Sequence, residues 1–247
     1  MILKIFYKYS PNFNSTKRRA AQIKFLIFHY TGMKNETDAI KKLTNFKSNV
    51  SCHYFIKKKG EILLMVPDLY ISWHAGKSKW KNYKSLNKYS IGIEISNPGH
   101  NLNYKKFSNK QIQSLVKLSK ILIKKYKIKP KNILGHSDIA PERKKDPGEK
   151  FPWKELAKQK IGLWHSIPLE ILKKNRGIRL NKISENMFYK NLSRIGYMPV
   201  RLKNLRNQRY KNYIIKAFQR RFRQELVNGK IDKECLIISE NLAKKFK

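Results

Sequence analysis

Apolar residues in the first half of the chain follow strand-like patterns. Residues 25–30 form a continuous apolar run and predict a buried strand. Residues 53–56 and 61–66 flank a lysine-rich turn that contains Gly60, which predicts a β-hairpin. These runs indicate a central sheet that includes an antiparallel pair.

A third run alternates strictly between apolar residues and others. In residues 90–96 the isoleucines alternate with Gly92 and Glu94. Because successive side chains of a strand point to opposite faces, the isoleucines share one face and Glu94 lies on the other. Asn97 begins an Asn-Pro-Gly turn that ends this strand.

Helix-like spacing separates these strands. Thr37 or Asp38 is predicted to cap a helix that runs to about residue 46. Ser108 and Gln111 form a capping-box pattern before a longer amphipathic helix, which is followed by a short strand at residues 133–134. The fold class is therefore predicted to be α/β, with a mixed central sheet flanked by helices.

The end of the chain has a different pattern. Periodicity fades from about residue 165 to residue 183, and three short helical patterns follow. We predict a main domain over residues 1–165, a linker over residues 166–183, and a small three-helix domain over residues 184–247.

The chain is strongly basic. Its 56 Lys and Arg residues against 16 Asp and Glu give a formal net charge of +40, which attracts polyanions. The basic residues are mostly lysine and are spread from end to end, so no specific nucleic-acid function is expected. An anionic cell-wall polymer or membrane face would suit the same field.

The cysteines do not indicate a disulfide, and the apolar runs do not indicate a membrane span. Cys52 and Cys235 are far apart and are predicted to be free thiols. No run approaches the roughly 20 apolar residues of a membrane helix, so no transmembrane segment is expected. No signal peptide is readable at the N-terminus. A monomer is expected.

One constellation of residue types suits catalysis at a metal. His29 ends the apolar run of the first strand, and His136 follows Gly135 at the end of another. Asp146 follows ten residues later, across a loop able to fold back. Two imidazoles and one carboxylate suit Zn²⁺, with the fourth position open for water. Each histidine taken alone is equally a satisfied polar group at a strand end.

Other residues extend this hypothesis. Glu94 is a candidate general base, and Lys144 is a candidate oxyanion stabiliser. The alternatives are a solvent-facing carboxylate and a solvated lysine. His74, Trp80 and Asn97 are candidate substrate contacts, although His74 and its neighbour Trp73 would equally suit the packing of a loop.

Several segments together resemble a known family. They are residues 28–32, 50–56, 73–76, 90–95, 135–141, 143–148 and 151–153. In order and spacing they resemble the zinc-dependent N-acetylmuramoyl-L-alanine amidases of the amidase-2 family, which are related to peptidoglycan recognition proteins. The resemblance extends over about residues 10–163 and implies the amidase-2 fold.

This resemblance implies a role for each matching residue. His29, His136 and Asp146 match the zinc ligands, Glu94 matches the catalytic acid/base of the bacterial branch, and Lys144 matches the oxyanion-stabilising lysine. It further implies hydrolysis of the amide between N-acetylmuramic acid and L-alanine in peptidoglycan or muropeptides. Phage members place a cysteine where this chain has Asp146.

The C-terminal patterns have a resemblance of their own. Residues 192–197, 215–222 and 229–232 resemble the three-helix peptidoglycan-binding domain, although Arg221 and Arg223 make it unusually basic. A wall-binding domain favours the cell envelope or periplasm, whereas the missing signal favours the cytoplasm. A non-catalytic peptidoglycan-recognition protein is the alternative function.

Overall fold

A computed structural model describes residues 3–197 and 207–246. Its strands are, in chain order, β1 (Ile5–Tyr7), β2 (Phe13–Asn14), β3 (Phe25–Tyr30), β4 (Tyr54–Ile56), β5 (Ile62–Leu64), β6 (Ile71–Ser72), β7 (Lys79–Trp80), β8 (Tyr83–Lys84), β9 (Ser90–Ile95) and β10 (Ile133–Gly135). Six of them form the central sheet in the order β1-β5-β4-β9-β3-β10. Only the β4–β5 hairpin is antiparallel within it, so the sheet is mixed, as predicted.

Helices surround this sheet. The α-helices of the described residues are α1 (Glu36–Thr44), α2 (Asn109–Tyr126), α3 (His136–Ile139), α4 (Trp153–Lys158), α5 (Leu169–Asn175), α6 (Lys182–Ile195), α7 (Gln208–Phe222) and α8 (Lys233–Lys245). Short 3₁₀ turns lie at Ala20–Gln22, Phe46–Ser48, Leu86–Tyr89 and Pro130–Asn132.

The predicted helix starts are right for α2 and wrong for α1. Ser108 and Gln111 form the expected capping box at the start of α2. The N-cap of α1 is Asn35, rather than Thr37 or Asp38, because the Asn35 side chain accepts a hydrogen bond from the backbone N–H of Asp38. Asn35 also has the extended backbone that an N-cap requires.

The two faces of the sheet are covered by different helices. The isoleucines of β9 pack with residues of α2 and α4 on one face. On the other face Phe25, Ile27 and Leu134 share one apolar core with the C-terminal helices α6, α7 and α8. Segment 166–183, predicted as a linker, contains α5, whose Leu172 is buried in this same core.

Two further observations bear on the sequence predictions. Cys52 and Cys235 are both buried and free, as predicted. Among residues 3–197 and 207–246, the helices are all too short or too polar to cross a membrane.

Candidate metal centre and active site

Three side chains converge at the ends of the central strands. The Nδ1 atoms of His29 and His136 lie 2.9 Å apart, and Oδ2 of Asp146 lies 3.0 Å from the first and 3.1 Å from the second. All three residues are buried. The three side chains therefore lie together, as predicted, and form a group that could hold one metal ion.

The sheet and one loop bring these side chains together. His29 lies near the end of β3, and His136 begins α3 directly after β10, the parallel neighbour of β3. Asp146 reaches them because the loop folds back, as expected, and its carbonyl accepts a 2.8 Å hydrogen bond from the backbone N–H of Ser137.

Hydrogen bonds at the far side of His136 fix its tautomer. Its Nε2 lies 3.1 Å from the carbonyl oxygen of Ala75. A carbonyl oxygen only accepts, so Nε2 carries the proton and donates it. The Nδ1 atom of the neutral ring then presents its lone pair to the centre.

A longer relay gives His29 the same tautomer. The Ser90 hydroxyl donates to the Leu86 carbonyl at 2.6 Å, so its oxygen is left to accept from Nε2–H of His74 at 3.0 Å. Nδ1 of His74 is then an acceptor, and it lies 3.0 Å from Nε2 of His29. His29 therefore donates from Nε2 and presents the Nδ1 lone pair to the centre.

Gly92 makes room for this relay. A Cβ at Gly92 would lie 2.3 Å from the His74 ring, which is far too close for any side chain. The glycine that alternates with the isoleucines of β9 thus allows the His74 ring to pack closely against the strand.

The donor atoms fit a cation. Two imidazole lone pairs and a carboxylate oxygen meet within about 3 Å, and the two tautomers leave no ring proton between them. Burial lowers the pKa of His29 to about 4, so this ring is neutral and able to ligate at neutral pH.

Glu94 lies beside this centre. It pairs in register with His29 on the neighbouring parallel strand, so both side chains project from the same face of the sheet. Within the described part of the chain, its buried Oε2 atom has no hydrogen-bond partner. Burial, with a contribution from Asp146, raises the pKa of Glu94 to about 8.

A cleft of about 440 Å³ opens over the centre. Glu94, His74, His136 and Asp146 line its floor, together with Lys144. Its other cations are Lys42, Arg143 and Lys145, and its aromatic walls include Tyr30 and Trp73. The site can therefore accept a polar, anionic ligand next to a carboxyl group poised to exchange a proton near neutral pH.

The structure does not bring two of the predicted substrate contacts, Trp80 and Asn97, into the cleft. Trp80 is 1% exposed and packs edge-on against Tyr197 in the core, so it offers no surface to a ligand. Asn97 is buried, and its side chain holds a loop by donating to the Lys105 carbonyl and accepting from the Gly99 N–H. Both residues therefore act structurally.

His74, predicted to contact substrate, lines the cleft and also hydrogen-bonds to His29 and Ser90, which the sequence did not indicate. Sequence reasoning missed Ser90 and Lys42. Ser90 gave no signal, since a serine at the start of a strand is common. Lys42 was detectable in principle, because it lies three residues after Ala39 and just before Leu43, on the side of α1 that faces the cleft.

The fold and the site define a class of protein. A mixed α/β sheet carries a buried His-His-Asp group that could bind a metal, with a proton-exchanging carboxyl beside it in an open cleft. These are the features of a metal-dependent hydrolase.

The family follows from comparison with known proteins. The Amidase_2 family, described as N-acetylmuramoyl-L-alanine amidase, matches residues 19–149, more than half of the chain. The N-acetylmuramoyl-L-alanine amidase AmiD of Escherichia coli K12 is 36% identical over 246 residues, covering 93% of this chain and 87% of AmiD. The chain belongs to the Amidase_2 family and is an N-acetylmuramoyl-L-alanine amidase.

Other relatives agree in part of the chain or in structure. The 1,6-anhydro-N-acetylmuramyl-L-alanine amidase AmpD of E. coli K12 is 39% identical over 42% of this chain and 55% of AmpD. E. coli AmiD in complex with anhydro-N-acetylmuramic acid-L-Ala-D-γ-Glu-L-Lys superposes with a TM-score of 0.78 and 34% identity, over 94% of this chain and 93% of AmiD. AmpDh3 of Pseudomonas aeruginosa gives a TM-score of 0.78 and 30% identity, over 95% of this chain and 96% of AmpDh3.

Proposed function

We propose that this chain cleaves the amide bond between the lactyl group of N-acetylmuramic acid and the L-alanine of the stem peptide at a centre that holds one Zn²⁺. The observation that carries the proposal is the convergence of the His29, His136 and Asp146 donor atoms beside Glu94, at the floor of an open cleft. Membership of the Amidase_2 family supports the reaction type.

The donor set favours zinc. Two imidazole nitrogens and one carboxylate oxygen are a common ligand set of catalytic zinc, with one position left for water or substrate. When bound there, zinc would polarise the scissile carbonyl and lower the pKa of a coordinated water.

Glu94 is the proposed proton carrier. Glu94 lies in register with His29 beside the three donor atoms, so its carboxylate is placed to exchange protons with a water held there. It would take a proton from the attacking water and deliver it to the nitrogen of the leaving alanine. Lys144 lines the same cleft and would stabilise the negative charge that develops on the carbonyl oxygen.

Soluble muropeptides, including those with an anhydro sugar, are the proposed substrates. The cleft carries the cations Lys42, Arg143 and Lys145 around its centre, and a stem peptide brings carboxylates to it. The AmiD complex contains an anhydromuramyl tripeptide. The resemblance of the C-terminal helices to a peptidoglycan-binding domain favours the cell envelope as the place of action.

The test is Glu94→Gln, which keeps the size of the side chain and removes its proton transfer. We expect kcat on a purified muropeptide to fall about 10²- to 10⁴-fold, since that is the usual worth of general acid–base catalysis. Zinc content and thermal stability are measured on the same preparations. Glu61→Gln, in the exposed hairpin turn, is the control and should keep wild-type activity.

Mass analysis of the products gives the other readouts. Release of the intact stem peptide from soluble muropeptides supports the proposed bond, and a parallel digest of polymeric peptidoglycan tests the proposed substrate form. Wild-type turnover in Glu94→Gln would remove Glu94 from the mechanism. Tight muropeptide binding by the zinc-loaded protein without release of peptide would instead support the recognition alternative.

A further inference from the structure

A buried charged side chain of the C-terminal helices reaches into the strand that carries a proposed metal ligand. Arg221 of α7 is 1% exposed. Its Nη1 atom donates to Oδ2 of Asp138, and its Nη2 atom donates to the Ile133 carbonyl at 2.8 Å. Its guanidinium lies over the Trp153 ring, 4.3 Å from the ring centre.

These contacts hold both ends of the turn from β10 to α3, residues 133–138, which we call the corner. Ile133 begins β10, Asp138 lies in α3, and His136 stands between them at the turn from strand to helix. Asp138 ties the corner further, because its Oδ2 atom accepts from the backbone N–H of Gly135 at 2.8 Å. Its Oδ1 atom accepts from the Tyr197 hydroxyl, which follows α6, at 2.5 Å.

The same corner holds a second proposed ligand. The loop that ends at Asp146 bonds to the N–H of Ser137. The following Pro147 packs so closely on Gly135 that a Cβ there would lie 2.6 Å from its ring. A shift of the corner would therefore move His136 and Asp146 together.

We propose that Arg221 and Tyr197 are positioning residues for the metal centre, so that the C-terminal helices complete the site whatever their affinity for peptidoglycan. They act through Asp138, which holds the corner that aims Nδ1 of His136. This inference rests on the proposed function in so far as the centre binds Zn²⁺.

The test is the affinity of the full chain for Zn²⁺, measured by competition with a chelator in Tyr197→Phe and Arg221→Gln. Loss of supporting hydrogen bonds around metal ligands typically costs 10- to 100-fold in affinity. We expect a rise of that order in the Kd for Zn²⁺ and a changed visible absorption spectrum of the Co²⁺-substituted protein. Tyr197→Phe keeps the ring in the core and tests the idea if Arg221→Gln fails to fold.

Arg223→Gln is the matched control. Arg223 is also buried near the end of α7, but it pairs with Asp232 within the C-terminal helices. It should lower the melting temperature and leave the Kd for Zn²⁺ within about twofold of wild type. Wild-type affinity and spectrum in both Tyr197→Phe and Arg221→Gln would overturn the inference, whereas a wild-type chain that binds no zinc would overturn the proposed function itself.

Discussion

Glu94 owes its raised pKa chiefly to burial. Its pKa of about 8 comes first from desolvation and then from the nearby Asp146 carboxylate. The alternation of β9 predicted the face on which Glu94 lies. It could not predict the pKa, because that depends on which residues cover the face.

The raised pKa gives a stability prediction for the metal-free protein. Between the ordinary pKa of 4.5 and a folded-state value of about 8, the folded protein keeps a proton that the unfolded chain has released. This contribution to stability is full below about pH 4.5 and is lost as the pH rises through 8. Relative to Glu94→Gln, the wild-type free energy of unfolding should fall by up to about 1.4 kcal/mol per pH unit in this range.

Urea unfolding of both metal-free proteins at several pH values between 5 and 8.5 measures this difference. Titration of His29 and other groups affects both proteins and cancels in the comparison. Parallel stability curves for the wild type and Glu94→Gln would show that Glu94 titrates normally.

At the scale of elements, the hydrophobic pattern predicted where the strands lie in the sequence, but not which strands pair in the sheet. Runs at residues 25–30 and 90–96 became β3 and β9, but no feature of either run states that they lie side by side. That pairing places His29 beside Glu94. The relay from Ser90 to His29 was likewise hidden, because it joins the start of one strand to the end of another through His74.

The relay predicts an effect of Ser90→Ala on metal binding. Without the Ser90 oxygen, His74 loses the acceptor that holds its proton on Nε2. A proton on Nδ1 of His74 would face Nε2–H of His29 and favour the His29 tautomer that blocks the metal. The Kd for Zn²⁺ should therefore rise about 10- to 100-fold.

The control is Ser78→Ala, because Ser78 is a buried serine whose hydroxyl bonds to the Gly76 carbonyl and the Leu86 N–H and is not part of the relay. The same chelator competition is used for both variants. Equal zinc affinity in Ser90→Ala and Ser78→Ala would contradict the assigned relay.

At the scale of the molecule, the sequence predicted the sheet and the C-terminal helices, but not that they share one apolar core. The helical patterns near the end of the chain correspond to α6, α7 and α8, but a helical pattern does not state what covers each helix. In the structure these helices complete the core on one face of the sheet, and α5 lies in the segment expected to link them. Trp80 was predicted to contact substrate but is buried in the core, because residue type alone does not reveal burial.

Zinc content is the most direct test of the central claim, that His29, His136 and Asp146 together hold one metal ion. Elemental analysis after dialysis should find about one Zn²⁺ per wild-type chain. It should find little in folded His29→Ala, His136→Ala or Asp146→Ala, because two remaining ligands hold zinc weakly. Full zinc occupancy in any of these folded variants, or a fully active wild-type chain without metal, would contradict the account.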